Sequence, residues 1–309
     1  MNAGAQIAGP RPRHPFTIGA CVDRGGIAGL EVLLRSLVSA HSAETRLELH
    51  VLHNHLPSRT IDRLSEIVHG SCASRVTWTS FEAERYFKGR VVFGLMSYAR
   101  IFLPEIVTER RVLYLDTDLV VNNSIEACGE IDLTECIAAV QEKTFGRSNC
   151  KTFFSRVGAN LDSPYFNAGV LVIDCEKWTS ERTRFQLIEA AERVGWDLPS
   201  GDQTLLNHHF QGRFDRLSGD WNCLAYAGAS VSDFHETTKI VHFIGRPKPW
   251  ECGGWVNRQY GLFERLGTNR QLRPGTPEMR CWPDSIRRVV RYGPSYIKCA
   301  ARHAKRWLA

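Results

Sequence analysis

The strongest constraint on this chain is an alternation. Short runs rich in β-forming apolar residues occur at "FTIGACV" (16–22), "RLELHVLHN" (46–54), "RVTWTSF" (75–81), "RVLYL" (111–115), "CIAAVQ" (136–141), "AGVLVIDC" (168–175) and "KIVHFIG" (239–245). Between many of them lie segments with helical spacing. "IAGLEVLLRSLVSA" (27–40) sets Leu30, Leu33, Leu34 and Leu37 on one face, and "SRTIDRLSEIVHG" (58–70) ends on a glycine. "LMSYARIFLPEIV" (95–107) reads as a helix broken at Pro104, while 182–194 and 202–210 read as uninterrupted helices. Strands alternating with helices predict an α/β fold, a mostly parallel twisted sheet with helices on both faces. Ligands of such sheets sit beyond the carboxyl ends of the strands.

One strand end stands out. "RVLYLDTDLVV" (111–121) runs apolar to Leu115, places Asp116 and Asp118 one residue apart, and turns apolar again. Burying an ionised carboxylate is costly unless it is paired or meets a metal. In extended chain the two aspartates share a face while Thr117 points away, so they suit a hard divalent cation. A lone D-x-D is also compatible with an acidic turn. "LDTDLV" further satisfies the D-x-D-x-[TV] pattern of haloacid-dehalogenase-like phosphatases, whose first aspartate is a covalent nucleophile. That scaffold normally begins with this strand and adds a later lysine and a second acidic pair for magnesium. Here at least three strands precede it, and "GDQTLLN" supplies only Asp202.

Composition narrows the function classes. The chain has 309 residues, of which 43% are hydrophobic and 23% charged, enough for an ordinary globular core. The net charge is +6, and its location matters more than its size. From Cys281 onward there are seven cations (Arg287, Arg288, Arg291, Lys298, Arg302, Lys305, Arg306) and one anion, Asp284; seven less one is the whole net charge. The body therefore sums to zero, which argues against nucleic acid as a partner. In the tail, Trp282, Tyr292, Tyr296 and Trp307 interleave with the cations, a composition suited to an anionic membrane surface. No run of 18 apolar residues is present, so a spanning helix is not expected. The start, "MNAGAQIAGPRPRHPF", has no apolar signal core and reads as a disordered leader. The ten cysteines show no C-x-x-C pair and read as reduced thiols, which makes the cytoplasm the expected compartment. The expected organisation is a leader at 1–15, a catalytic domain at 16–265 and a basic aromatic tail at 266–309.

Several patches carry little. His50, His53 and His55 do not converge, because His50 faces the other side of a strand from the other two. "DRGGIAG" lacks both dinucleotide and Walker spacing. His208, His209 and His235 read as structural. No G-x-S-x-G or H-E-x-x-H pattern occurs.

Four motifs in order resemble glycosyltransferase family 8. These are "SYARIFLPEIVTERRVLYLDTDLVV" (97–121), "YFNAGVLVID" (165–174), "GDQTLLN" (201–207) and "VHFIGRPKPW" (241–250). The resemblance extends from about Phe16 to Trp250, and lipooligosaccharide galactosyl- and glucosyltransferases are among the members it resembles. It implies a GT-A-like fold and a metal-dependent retaining hexosyltransferase. The implied donor is a UDP-sugar, and the acceptor a bacterial glycolipid or polysaccharide such as lipopolysaccharide. Asp116, Asp118 and His242 match the family's metal ligands. Two carboxylates with one imidazole favour Mn2+, with Mg2+ as the alternative.

The remaining roles follow from the same resemblance. Gly245 and Lys248 match diphosphate-binding positions, where glycine lets the backbone approach and lysine supplies a point charge. Arg100, Asn167 and Asp202 match sugar-hydroxyl contacts within motifs that also include Ala168 and Gly169. Glu142 falls where an acid faces sugar and acceptor. Gln203 matches the residue behind the anomeric carbon. A glutamine is a poor nucleophile, so same-face attack is favoured over a double displacement, with Asp202 as the lesser candidate nucleophile. Asp23 matches an acid that contacts the base, but the tyrosine that stacks on uracil is replaced by Gly26. A catalytically idle sugar-nucleotide-binding module is the remaining alternative.

Overall fold

The computed structural model describes residues 16–42, 45–70, 74–87, 94–226, 234–251, 254, 257 and 259–267. The expected leader, and the expected tail beyond 267, lie outside the described residues.

Ten strands are described: β1 (Phe16–Val22), β2 (Leu47–His53), β3 (Arg75–Ser80), β4 (Arg111–Leu115), β5 (Leu119–Val121), β6 (Ile137–Thr144), β7 (Pro164–Asp174), β8 (Asp215–Leu217), β9 (Cys223–Tyr226) and β10 (Ile240–Ile244). The α-helices are α1 (Ile27–Ala40), α2 (Ser58–His69), α3 (Leu103–Ile106), α4 (Lys151–Arg156), α5 (Cys175–Ser180), α6 (Thr183–Val194), α7 (Asp202–Phe210) and α8 (Tyr260–Leu266). Seven strands form one sheet in the order β3-β2-β1-β4-β7-β6-β8, and β5-β10-β9 form a smaller one. β1, β2, β3 and β4 run parallel; β7 is antiparallel to both its neighbours, and β8 is parallel to β6. This is the predicted mixed α/β architecture, GT-A-like in form.

Strand periodicity divides the core in two. On β4 and β7, Leu113, Leu115, Val170 and Val172 face Leu30, Leu33, Leu34 and Leu37 of α1 and Leu64 and Val68 of α2. Val112, Tyr114, Leu171 and Ile173 face the other way, into an aromatic-rich core with Trp178 of α5, Leu187 of α6 and Leu205, Leu206 and Phe210 of α7. Both faces are thus covered, which is why β7 reads as nearly continuous apolar sequence. A third, smaller cluster joins Val120, Ala225, Val241 and Phe243 of the small sheet to Val32 of α1 and Phe263 of α8.

Some element boundaries differ from the sequence reading. Residues 95–101 form a tight three-residue-per-turn helix, and Pro104 lies in the first turn of α3 rather than breaking a helix. Proline is tolerated there because first-turn N–H groups have no intrahelical partner. β7 starts at Pro164 and Cys175 already belongs to α5. His55 has left the strand with a positive φ of 47°, so it does not share a strand face with His53.

Candidate active site

The site forms where β4 ends. β1 and β4 are parallel in the register Gly19↔Tyr114, so Asp23 and Asp116 emerge at the same edge of the sheet. Asp116 N–H still donates to Gly169 O at 2.9 Å, continuing the β4–β7 ladder by one residue. The chain then turns into β5, which pairs with β10 in the register His242↔Leu119. That pairing brings a histidine from far along the chain to the two aspartates. Ligand atoms of Asp116, Asp118 and His242 all lie within 4.8 Å of one another. His242 Nε2 is 3.2 Å from Asp118 Oδ1 and 4.0 Å from Asp116 Oδ2.

Gly169 makes this convergence possible. A Cβ there would lie 2.1 Å from His242 Cε1 and 2.9 Å from Asp116 Oδ2, closer than any side chain tolerates. The donor set of two carboxylates and one imidazole fits a divalent cation chemically. The imidazole is buried and hydrogen-bonded at its other nitrogen, as metal-ligating histidines usually are.

Each aspartate also has a cationic partner. Arg100 is buried between two carboxylates. Its Nη2 donates to Asp116 Oδ1 at 2.9 Å, Nη1 donates to Ala168 O, and Nε lies 2.6 Å from Asp202 Oδ2. Tyr114 O–H donates to the same Asp116 oxygen at 2.7 Å, and the guanidinium sits 4.4 Å from the Tyr114 ring centroid. Burial alone would ease the Arg100 proton off, but Asp116 and Asp202 outweigh it and hold the guanidinium firmly charged. Asp202 is the strained member. Arg100 Nε directs its hydrogen to Ser97 O at 2.9 Å, so Asp202 Oδ2 has a nearby charge without a hydrogen bond. Burial pushes the Asp202 carboxyl up to about 6, with Arg100 pulling it down and Asp116 pushing it further up. Asp202 is the first residue of α7, whose cap position is Gly201, so its side chain does not cap that helix.

On the other side, Lys248 Nζ contacts Asp118 Oδ2 and donates to Phe243 O at 2.8 Å. Burial would raise the Asp118 carboxyl, but Lys248 first and His242 next hold it far below the carboxylate range. Lys248 rides on a loop that Gly245 opens with φ of 77°, a left-handed conformation that favours glycine. Trp250 pins that loop to α1. Its Nε1 donates to Gly25 O at 3.2 Å, and a Cβ on Gly29 would fall 2.6 Å from its ring.

A chain of carboxamides runs behind the histidine. His242 Nδ1 is 3.0 Å from Asn222 Oδ1, and Asn222 Nδ2 donates to Asn167 Oδ1 at 2.9 Å. Asn167 Nδ2 donates to Gln203 Oε1 at 3.1 Å, and Gln203 Nε2 donates to Tyr165 O–H oxygen at 2.6 Å. Backbone groups join it: Ala168 N–H donates to Gln203 Oε1 and Gly169 N–H to Asn167 Oδ1, both at 3.0 Å. Asn167 and Gln203 therefore sit directly behind the Asp116–Asp118–His242 cluster.

The other sequence-derived candidates lie at the margins. Asp23 is exposed, and its Oδ1 accepts from Gly25 and Gly26 N–H at 2.8 and 3.1 Å, holding the turn after β1. A Cβ on Gly26 would meet Thr117 Oγ1 at 3.0 Å, so this turn packs where a larger residue would crowd the D-x-D segment. Glu142 on β6 accepts from Tyr226 O–H at 3.2 Å and pairs with Lys143 at 2.7 Å. Sequence reasoning missed Tyr114, Tyr165 and Asn222. Tyr114 was accessible, since residues two apart on a strand share a face and it stands two before Asp116. Asn222 lies in a short turn before β9 and carries no motif.

Two carboxylates and one imidazole converge at a strand end, backed by a buried arginine and faced by a lysine on a glycine-opened loop, on a mixed α/β sheet of GT-A-like form. Comparison with known proteins places it further. Glycosyl transferase family 8 matches residues 18–252, and the chain belongs to that family. It is 34% identical over 165 residues to the glycosyltransferase GlyE of Streptococcus pneumoniae, covering 50% of this chain and 37% of GlyE. Against GlyD of the same organism it is 26% identical over 258 residues, 76% of this chain and 28% of GlyD. The chain thus spans well under half the length of these two relatives. The galactosyltransferase LgtC, solved with donor and acceptor sugar analogs, superposes with a TM-score of 0.70 at 23% identity, covering 86% of this chain and 99% of LgtC. The crystal structure of GlyE superposes with a TM-score of 0.63 at 25% identity, over 84% of this chain and 61% of GlyE.

Proposed function

We propose that this chain is a metal-dependent retaining hexosyltransferase. It moves galactose or glucose from a UDP-sugar to a bacterial glycolipid or polysaccharide, lipopolysaccharide being the model acceptor. The observation that carries this reading is the convergence of Asp116, Asp118 and His242 in a family 8 chain, with Lys248 on Asp118 and Arg100 on Asp116. Asp116, Asp118 and His242 would hold Mn2+, or Mg2+ in its place. When bound, the cation neutralises the negative charge that develops on the departing diphosphate. Lys248 and the Gly245 backbone receive that diphosphate, and Asp23 the base. Arg100, Asn167 and Asp202 hold the sugar hydroxyls beside Ala168 and Gly169, and Glu142 lies toward the acceptor.

In the reaction the bond from the anomeric carbon to the diphosphate oxygen breaks and a bond to the acceptor oxygen forms. The acceptor proton passes to the departing phosphate oxygen on the same face. Gln203 supports this route over a covalent one, because its Oε1 already accepts from Asn167 and Ala168 N–H and a carboxamide is a weak nucleophile. Family 8 membership weighs against the phosphatase alternative.

Release of UDP from a panel of UDP-sugars with Mn2+, followed by NMR of the product's anomeric configuration, tests the reading. Transfer with retention supports it; no UDP release with any sugar favours an idle binding module. Asp118→Ala removes charge stabilisation that arises at bond breaking, so transfer falls by several kcal/mol, about a thousandfold or more. Transfer within tenfold of the unmodified chain, or turnover undiminished by excess chelator, defeats the assignment.

Location is part of the same proposal. Among the described residues no helix is long and apolar enough to cross a membrane. The basic aromatic tail supports peripheral attachment to the inner face of the cytoplasmic membrane, each cation near an anionic leaflet contributing about 1 kcal/mol. A chain truncated near Arg280 is expected to turn over a soluble acceptor but to stop sedimenting with anionic vesicles. Full-length protein that ignores such vesicles at low salt refutes the attachment.

A further inference from the structure

The structure assigns Asn222 as a positioning residue that fixes the tautomer of His242, leaving Nε2 bare toward the two aspartates; the inference rests on the metal-dependent reading above. Two groups have a hydrogen-bonding sense beyond choice, the backbone N–H groups of Ala168 and Gly169 on β7.

Ala168 N–H donates to the Gln203 side chain at 3.0 Å, so the atom it meets must be the carbonyl oxygen Oε1. Gly169 N–H donates to the Asn167 side chain at 3.0 Å, which likewise fixes Oδ1 on that side. The Asn167 NH2 then faces Gln203 Oε1 at 3.1 Å, donor to acceptor, and the two assignments agree. Asn167 Oδ1 is also met by Asn222 at 2.9 Å, and only the Asn222 NH2 can donate to it. The other Asn222 atom is therefore the oxygen, and it faces His242 Nδ1 at 3.0 Å. An amide oxygen has no proton to give, so the imidazole must carry one on Nδ1.

With Nδ1 so engaged, Nε2 is the nitrogen left to face Asp118 Oδ1, 3.2 Å away, with Asp116 Oδ2 at 4.0 Å. On the neutral ring its lone pair completes, with the two carboxylates, the donor set that a cation would take. Asn222 is 2% exposed, so water does not compete for the bond. This accounts for two residues of the "NAG" segment by their backbone. The N–H groups of Ala168 and Gly169 set the polarity of the whole chain from Gln203 to the metal ligand.

Outer hydrogen bonds to a ligating histidine orient the ring and raise its basicity, and losing them costs about 10- to 100-fold in metal affinity. The test is Mn2+ binding by calorimetry and water-proton relaxation, in the absence of donor. Asn222→Ala is expected to weaken Mn2+ by about 10- to 100-fold. Should Asn222→Ala fail to fold, long-range proton–nitrogen NMR on the unmodified chain, with the His242 signal identified by its loss in His242→Asn, reads the tautomer directly. An Nδ1–H signal supports the assignment. A neutral ring protonated on Nε2, or equal Mn2+ affinity in Asn222→Ala, overturns it. An unmodified chain that binds no Mn2+ overturns the metal reading instead, so the two failures are distinguishable.

Discussion

The two cations of the site occupy contrasting walls. Arg100 belongs to a buried wall built from β4, β7 and α7, where its guanidinium meets Asp116, Asp202, Ala168 O, Ser97 O and the face of Tyr114. Lys248 belongs to a loop wall between Gly245 and Trp250, and its ammonium meets one carboxylate and one carbonyl. A planar fork with five donors suits a site with several fixed acceptors, and a compact ammonium on a flexible stem suits one that must exchange partners. The contrast teaches that the first wall is part of the fold, while the second is set against Asp118 by a contact that an incoming diphosphate and cation would compete for.

The largest expected effect follows from the first wall. Arg100→Ala leaves Asp116 and Asp202 without their buried counter-charge, and breaking a buried pair typically costs about 3–5 kcal/mol. Urea unfolding near neutral pH measures it. A loss under about 1 kcal/mol means that the buried wall is no more structural than the loop, and the comparison breaks.

How much of this was legible beforehand differs along the same divide. The β4 strand and its aspartates were readable, because an apolar run followed by two carboxylates has few stable placements. Lys248 and His242 entered through their motif. The pairing of Arg100 with Asp202 was not readable, since it depends on the start of α7 meeting a tight helix at 95–101 that the sequence presents as an ordinary helix interrupted by Pro104. The small sheet was half seen: β10 is a clear apolar run, but β5 and β9 have only three and four residues, too short for a period to show. Asn222 followed from that omission, because its place beside His242 comes from the β9–β10 pairing.

Asp202 sharpens the comparison through pH. Its carboxyl is pushed up to about 6, above the value it takes in an unfolded chain. Well below pH 4 it is protonated in both states and contributes no penalty. As pH rises toward 6 the unfolded chain releases the proton first, so stability from this group falls, by roughly 3 kcal/mol in all, and then levels off. Asp202→Asn is expected to remove that decline, measured as the difference between the two unfolding curves from pH 4 to 7. Curves that stay parallel over this range mean that Arg100 neutralises Asp202 fully, and the buried wall carries no strain.

The smallest effect on the fold, and the clearest on ligands, concerns Lys248. Its side chain is 19% exposed and meets one carboxylate where Arg100 meets two, so Lys248→Gln should cost less of the unfolding free energy than Arg100→Ala, about 1–2 kcal/mol. The ammonium sits on Asp118 Oδ2, part of the carboxylate that would hold the metal. Removing it takes away a competitor for that carboxylate, so Mn2+ alone should bind as well as before or a few-fold tighter. UDP binding in the presence of Mn2+ should weaken by about tenfold, because the diphosphate loses a point charge. Calorimetry with Mn2+ and then with UDP separates the two effects. If Lys248→Gln weakens Mn2+ and UDP together, the lysine is holding Asp118 in place rather than competing for it, and the loop wall is as structural as the buried one.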